Sequence, residues 1–257
     1  MRIFRKMASS PYVRPVICEM GGKNPVYVTA KADLDRAAEG LIRSAFGLSG
    51  EKCSACSVVH VEKAVADELL QRLKAHAEAV AIGNPEARDT FMGPVINQGA
   101  VERFHKAAKA ARAKGRIVHG GERLAGGVFE KGYFVAPTIV AELPSDHWIN
   151  NEELFLPFLS VQACTSLDEG IARGNRSVYG LCAGLYSENP HEIERFLRLA
   201  EAGVLYVNRR TGATTGAWPG VQSFCGWKGS GVDGKGGLGS FTIPRYMREQ
   251  SLTIMRG

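Results

Sequence analysis

Leu34, Ala37, Ala38, Leu41 and Ile42 are apolar at the three- and four-residue spacing of one helical face, which predicts a helix over residues 32–46. The β-rich run 26–29 ahead of it reads as a strand. The order then repeats. Residues 58–61 form a second strand signal, and Val65, Leu69, Leu70, Leu73 and Ala77 fall on one face of a helix over 64–80. A further helix is expected over 99–114, followed by a short strand over 116–119 and a glycine-rich turn region over 120–132. Beyond it come a strand over 159–163, a helix over 166–173 that Ser166 can cap, a strand over 184–186, a helix over 190–202 and a strand over 204–207. Such alternation implies an α/β fold, with mainly parallel strands covered by helices in three layers, α/β/α.

From 211 to 239 the texture changes. Glycine becomes frequent, Trp218 and Trp227 are interspersed, and neither period persists. A loop of that length inside a compact domain is usually functional, and this one is expected to return to the mouth of the site. Residues 248–255 read as an edge strand of the kind that pairs with another subunit.

With 257 residues, 45% apolar and 23% charged, the chain can bury one large core or two modest ones. Six cysteines are too sparse for a disulfide scaffold, and a reducing, cytoplasmic setting is the expectation. No apolar run reaches the roughly 18 residues that a membrane-spanning helix needs, so no membrane role is expected. The net charge of +6 is spread along helical stretches and mixed with Asp and Glu, which argues against a nucleic-acid partner.

Two residues draw attention for their chemistry. Cys53 lies in Gly50-Glu51-Lys52-Cys53-Ser54-Ala55, just before a strand, where a turn can expose a thiol near backbone N–H groups and favour thiolate. Taken alone, a cysteine is more often a small buried hydrophobe. Glu19 lies in Glu19-Met20-Gly21-Gly22-Lys23-Asn24-Pro25, where two glycines permit close approach of the backbone to whatever the carboxylate faces, although a lone Glu is normally a solvated surface group.

These two segments resemble the E-[LMT]-G-G-K-x-P and G-Q-x-C patterns of the aldehyde dehydrogenase family, and their separation fits it as well. Asn151-Glu152-Glu153-Leu154-Phe155-Leu156-Pro157 is similar to the family's E-E-[IV]-F-G-P, while Tyr206-Val207-Asn208 and Phe224-Cys225-Gly226-Trp227-Lys228-Gly229-Ser230-Gly231 resemble its closing segments. Together the motifs cover nearly the whole chain. The resemblance implies Cys53 as nucleophile, Glu19 as general base, and NAD as cofactor, with Glu153 on the nicotinamide ribose, Phe155 near the ring and no metal. It also implies attack of Cys53 on a small-molecule aldehyde, hydride loss to NAD, and hydrolysis of the thioester by water that Glu19 deprotonates.

Within the family the chain looks most like the branch that oxidises glutamate semialdehyde, the 1-pyrroline-5-carboxylate dehydrogenases. Ser54 after the nucleophile and the loop Thr211-Gly212-Ala213-Thr214-Thr215-Gly216 carry that likeness, with Gly212 and Ala213 offering N–H groups to a substrate carboxylate. On this reading residues 1–18 are the remnant of a cofactor-binding domain otherwise absent, 19–240 the catalytic domain and 241–257 an oligomerisation segment. The expected partner is a second copy, in a homo-oligomer, or a chain supplying the N-terminal half. The competing reading is a non-catalytic remnant that serves only in assembly.

Three positions depart from the family pattern. Glu51 replaces Gln and is expected to raise the Cys53 pKa, Leu156 replaces Gly and is expected to crowd the nicotinamide, and Cys225 replaces a second Gly. Cys53-Ser54-Ala55-Cys56 is also a CxxC, so a redox dithiol and half of a zinc site stand as alternatives, without a second ligand pair at metal spacing. Two G-x-G-x-x-G matches, starting at Gly229 and Gly234, have too little chain after them to open a nucleotide fold.

Overall fold

The computed structural model describes residues 2–12, 16–210, 217, 220–232 and 235–257. A short helix α1 (Arg2–Ala8) precedes β1 (Asn24–Val28), α2 (Leu34–Phe46), β2 (Cys56–Glu62) and α3 (Ala66–Glu78). After these come α4 (Gln98–Lys114), β3 (Arg116–His119), β4 (Thr138–Ala141), α5 (Trp148–Asn151), β5 (Phe158–Cys164) and α6 (Leu167–Asn175). The last are β6 (Tyr179–Gly180), β7 (Cys182–Tyr186), α7 (Pro190–Leu199), β8 (Val204–Val207) and β9 (Trp227–Lys228).

Seven strands form one sheet in the order β3-β4-β5-β2-β1-β7-β8. All neighbours are parallel except β3 with β4. The period-2 pleat sends alternate residues to opposite faces. Val26 and Val28 of β1, Val59 and Val61 of β2, and Leu159 and Val161 of β5 pack under α2 and α3. Tyr27 faces the other way, beneath α6 and α7 with Leu185 and Phe196. Val140 and Phe158 meet the buried stripe Val101, Phe104, Ala108 and Ala111 of α4 on a separate patch. Strands buried on both faces and covered by helices are the three-layer α/β/α arrangement.

Local signals fix the helix starts. Asp33, Asn97, Ser166 and Asn189 accept hydrogen bonds from backbone N–H groups of the turns they open, at α2, α4, α6 and α7. The helix expected over 190–202 ends at Leu199, because Ala200 is already extended and its N–H closes on the Phe196 carbonyl. Short elements escape the pattern, among them β4, four buried residues too short to show a period, α5, a single turn, and the two-residue strands β6 and β9. The edge strand expected over 248–255 does not form within this chain. Those residues carry no ladder and are fully exposed, and β3 and β8 occupy the two edges of the sheet.

Candidate active site

Three segments meet at the amino ends of the parallel strands. Residues 19–22 lead into β1, Cys53 precedes β2 and Glu153 precedes β5. The turn before Cys53 is held in an unusual conformation. Leu48, Ser49 and Gly50 all have positive φ, at 54°, 57° and 67°. For Leu and Ser such angles are costly and persist only where surroundings enforce them, which is typical of functional turns. Ser49 Oγ donates to the Gly93 carbonyl at 2.9 Å. A Cβ at Gly50 would lie 2.2 Å from the Leu156 carbonyl oxygen, so the turn packs directly on the chain that follows Phe155.

Asn24 then ties Cys53 to the sheet. Its Nδ2 donates to the carbonyls of Cys53 (2.7 Å) and Ala55 (2.8 Å), and its Oδ1 accepts from the Cys182 N–H (3.0 Å). Glu153 lies across the backbone of residues 21–22. The Gly22 N–H donates to its Oε1 at 2.9 Å, and a Cβ at Gly21 would be 2.2 Å from Oε2, so only glycine leaves room for the carboxylate. Phe155 has φ 56° and is 39% exposed, turned out of the core that its neighbours Leu154 and Leu156 enter. On the far side, Ser230 Oγ donates to the Gly21 carbonyl at 2.6 Å and accepts from the Gly180 N–H at 3.1 Å. The glycine-rich loop is thereby fastened to the Glu19 segment, and Glu19 itself forms an antiparallel bridge with Gly231.

Glu19, Met20, Gly21, Cys53, Glu153 and Phe155, with Phe224, Gly237 and Leu238 from the loop, line one open cavity of about 530 Å³. Cys53 is half-buried, and its pKa is raised by burial first and then by the carboxylates of Glu153 and Glu19, against the lowering effect of the Cys53 and Ser54 N–H groups. The expectation that the turn favours thiolate is corrected: the N–H groups are present, but desolvation outweighs them. Glu19 is likewise raised by desolvation, while the Gly237 N–H and the charge of Arg245 work in the other direction.

The structure brings Cys53, Glu19, Glu153 and Phe155 to one cavity. Ser54 is buried at 3% exposure and is not on the cavity wall, and Gly212 and Ala213 lie outside the described residues. The expected influence of Glu51 is also corrected. Its carboxylate accepts from the Ile96 N–H at 3.1 Å and faces Arg103, and it is not among the groups that move the Cys53 pKa. Leu156 does not crowd the cavity; it is buried with Val95, Leu154 and Phe158. Cys56 of the CxxC points into the main core beneath α2 and α3, while Cys53 packs against a different cluster, so the two thiols do not face each other as a dithiol pair. Asn24 and Ser230 stand inside the quoted motifs, but their partners could not be read there, because hydrogen bonds across 29 to 209 residues have no local pattern.

The aldehyde dehydrogenase family pattern matches residues 1–251. The chain belongs to the aldehyde dehydrogenase family. Among its relatives, 1-pyrroline-5-carboxylate dehydrogenase 1 of Halalkalibacterium halodurans is 39% identical over 244 residues, covering 95% of this chain and 46% of that protein. The Bacillus subtilis 1-pyrroline-5-carboxylate dehydrogenase is 37% identical over 246 residues, covering 94% and 46%. Among solved structures, 1-pyrroline-5-carboxylate dehydrogenase from Thermus with bound NAD superposes with a TM-score of 0.83 at 34% identity, over 91% of this chain and 45% of that one. The chain thus spans about half the length of the relatives it matches.

Proposed function

We propose that this chain is the nucleophile-bearing part of an NAD-dependent aldehyde dehydrogenase acting on glutamate semialdehyde, the open form of 1-pyrroline-5-carboxylate. The observation that carries the reading is the single cavity onto which Cys53, Glu19, Glu153 and Phe155 all open. The residues fit the cofactor's reactive end: Glu153 is held on the Gly22 N–H beside a glycine that leaves it room, as a carboxylate that grips ribose hydroxyls must be, and Phe155 offers an exposed aromatic face. NAD bound there supplies the hydride acceptor.

The chain's own groups account for the rest. Cys53 rests as a thiol, so its proton must leave before sulfur adds to the aldehyde carbon, and Glu19 on the same cavity is the base for that proton. The Cys53 and Ser54 N–H groups that face the sulfur are donors for the charge that develops beside it. Loss of hydride leaves a thioester on Cys53, and Glu19 takes the proton of the water that hydrolyses it. Burial of Ser54 confines its part to this backbone donor, and the substrate carboxylate is assigned to the N–H groups of Gly212 and Ala213. A cytoplasmic, reducing setting suits six free cysteines. The working partner is a homo-oligomer or a chain supplying the N-terminal half.

The test follows NADH formation from glutamate semialdehyde by this chain, alone and with a supplied N-terminal half. Activity on addition of that half is expected, with Cys53→Ala lowering it by about a thousandfold or more and Glu19→Gln by about a hundredfold. A folded, partner-bound chain that makes no NADH would favour a non-catalytic role in assembly.

A further inference from the structure

Six cysteines are free, and Cys53 and Cys182 lie at the amino ends of β2 and β7, the two strands that flank β1. Cys53 packs against a small apolar cluster made of Leu181, Cys182, Val204 and Ala217. Cys182 is the first residue of β7 and only 1% exposed. One carboxamide holds both backbones: Asn24 donates to the Cys53 carbonyl at 2.7 Å and accepts from the Cys182 N–H at 3.0 Å. Cys225 is nearby, but its Sγ is turned to the Gly203 carbonyl at 3.3 Å. Cys53 therefore opens onto the cavity and packs against the cluster that contains Cys182, a buried residue whose backbone the same carboxamide holds.

We propose that Cys53 and Cys182 are a modification site, a peroxide-driven reversible disulfide that takes the nucleophile out of service and shields it from irreversible oxidation. The co-reactant is hydrogen peroxide, small and uncharged, entering through the cavity. In the first step the Cys53 sulfur attacks one peroxide oxygen and the O–O bond breaks. Cys53 sulfenic acid and one water result, the thiol proton passing to the departing oxygen. In the second, the Cys182 sulfur attacks the sulfenic sulfur, the S–O bond breaks, and the Cys182 proton leaves with the hydroxyl as a second water. One peroxide is reduced and two thiols are oxidised. Burial disfavours the thiolate of both residues, which slows each step, but the second is intramolecular between groups already anchored to one side chain. A thiol pair re-forms when an external dithiol attacks the Cys53 sulfur from the cavity.

The inference rests on Cys53 being the oxidisable thiol of the site and not on its turning over an aldehyde, so its test needs no dehydrogenase activity. The whole chain is treated with hydrogen peroxide, alkylated without reduction, digested and analysed by mass spectrometry. The expected product joins the Cys53 and Cys182 peptides, is lighter by two hydrogens and is cleaved by dithiothreitol. Cys225→Ala keeps this link. Cys182→Ala, checked for folding by circular dichroism and backed by Cys182→Ser, loses it, and Cys53 sulfinic acid rises about tenfold or more in its place. Cys53 passing to sulfinic acid in the unmodified chain while Cys182 stays a free thiol would overturn the proposal and leave Cys182 as core packing. A link from Cys53 to Cys225 or Cys56 would overturn it equally.

Discussion

Asn24 and Lys23 are adjacent in sequence and opposite in consequence. Asn24 is 3% exposed and makes hydrogen bonds to three backbone groups. Asn24→Ala is expected to lower the unfolding free energy by about 2–4 kcal/mol, read from urea denaturation, because buried carbonyls and an N–H lose their partners. Lys23 is also 3% exposed, yet its Nζ has no hydrogen-bond partner among the described residues, and burial pushes its pKa down from 10.5 to about 8 despite the pull of Cys56, Glu153 and Glu152. Below pH 8 the folded chain carries a desolvated ammonium, at a cost of about 3 kcal/mol. Between pH 8 and 10.5 the unfolded chain holds a proton that the folded chain has released, so this cost fades as pH rises. Lys23→Met should accordingly be more stable than the unmodified chain at pH 7, with the gap closing towards pH 10. A gap that stays constant with pH would mean that burial does not shift the Lys23 pKa. Neither role is legible in sequence, where both residues are simply part of a glycine-containing motif.

At the scale of elements, the turn over residues 47–50 couples the Cys53 turn to the Phe155 segment. Gly50 touches the Leu156 carbonyl, so any side chain there pushes the Cys53 turn and the Phe155 segment apart. Gly50→Ala is expected to cost about 1–3 kcal/mol in urea unfolding, from its positive φ and the displaced backbone, and to raise the rate of Cys53 alkylation by loosening the turn. An unchanged alkylation rate would separate turn strain from thiol exposure. Long helices with a clear apolar face and β-branched strands emerged from periodicity alone, as α2, α3, α4, β1 and β2. Among the elements that periodicity missed were β4 and α5, each of four residues, whose burial comes from neighbours brought in from elsewhere in the chain.

Over the whole molecule the site lies at the amino ends of β1, β2 and β5, not at the carboxyl ends where open parallel sheets usually bind their ligands. Fold class by itself would have pointed to the wrong edge. The C-terminal stretch presents Phe241, Ile243, Leu252, Ile254 and Met255 to solvent at 51%, 67%, 81%, 80% and 89% exposure. Apolar surface so exposed promotes association. Sedimentation velocity is expected to find species larger than a monomer, and removal of residues 248–257 is expected to shift them to smaller ones. A monodisperse monomer of the unaltered chain would contradict this.

The sequence by itself determined the family, the helix faces, the Ser166 cap and the strands buried on both sides, and it singled out Cys53, Glu19, Glu153 and Phe155 as candidates, because each rests on short-range spacing or a contiguous motif. Only the tertiary structure decided that these four share one cavity, that Glu51 turns its charge to Ile96, that Leu156 is core, and that Cys53 packs on the cluster holding Cys182 rather than on the one holding Cys56. Those outcomes depend on which strands lie side by side and on how much water each group loses, and both are properties of the assembled sheet, not of any stretch of chain.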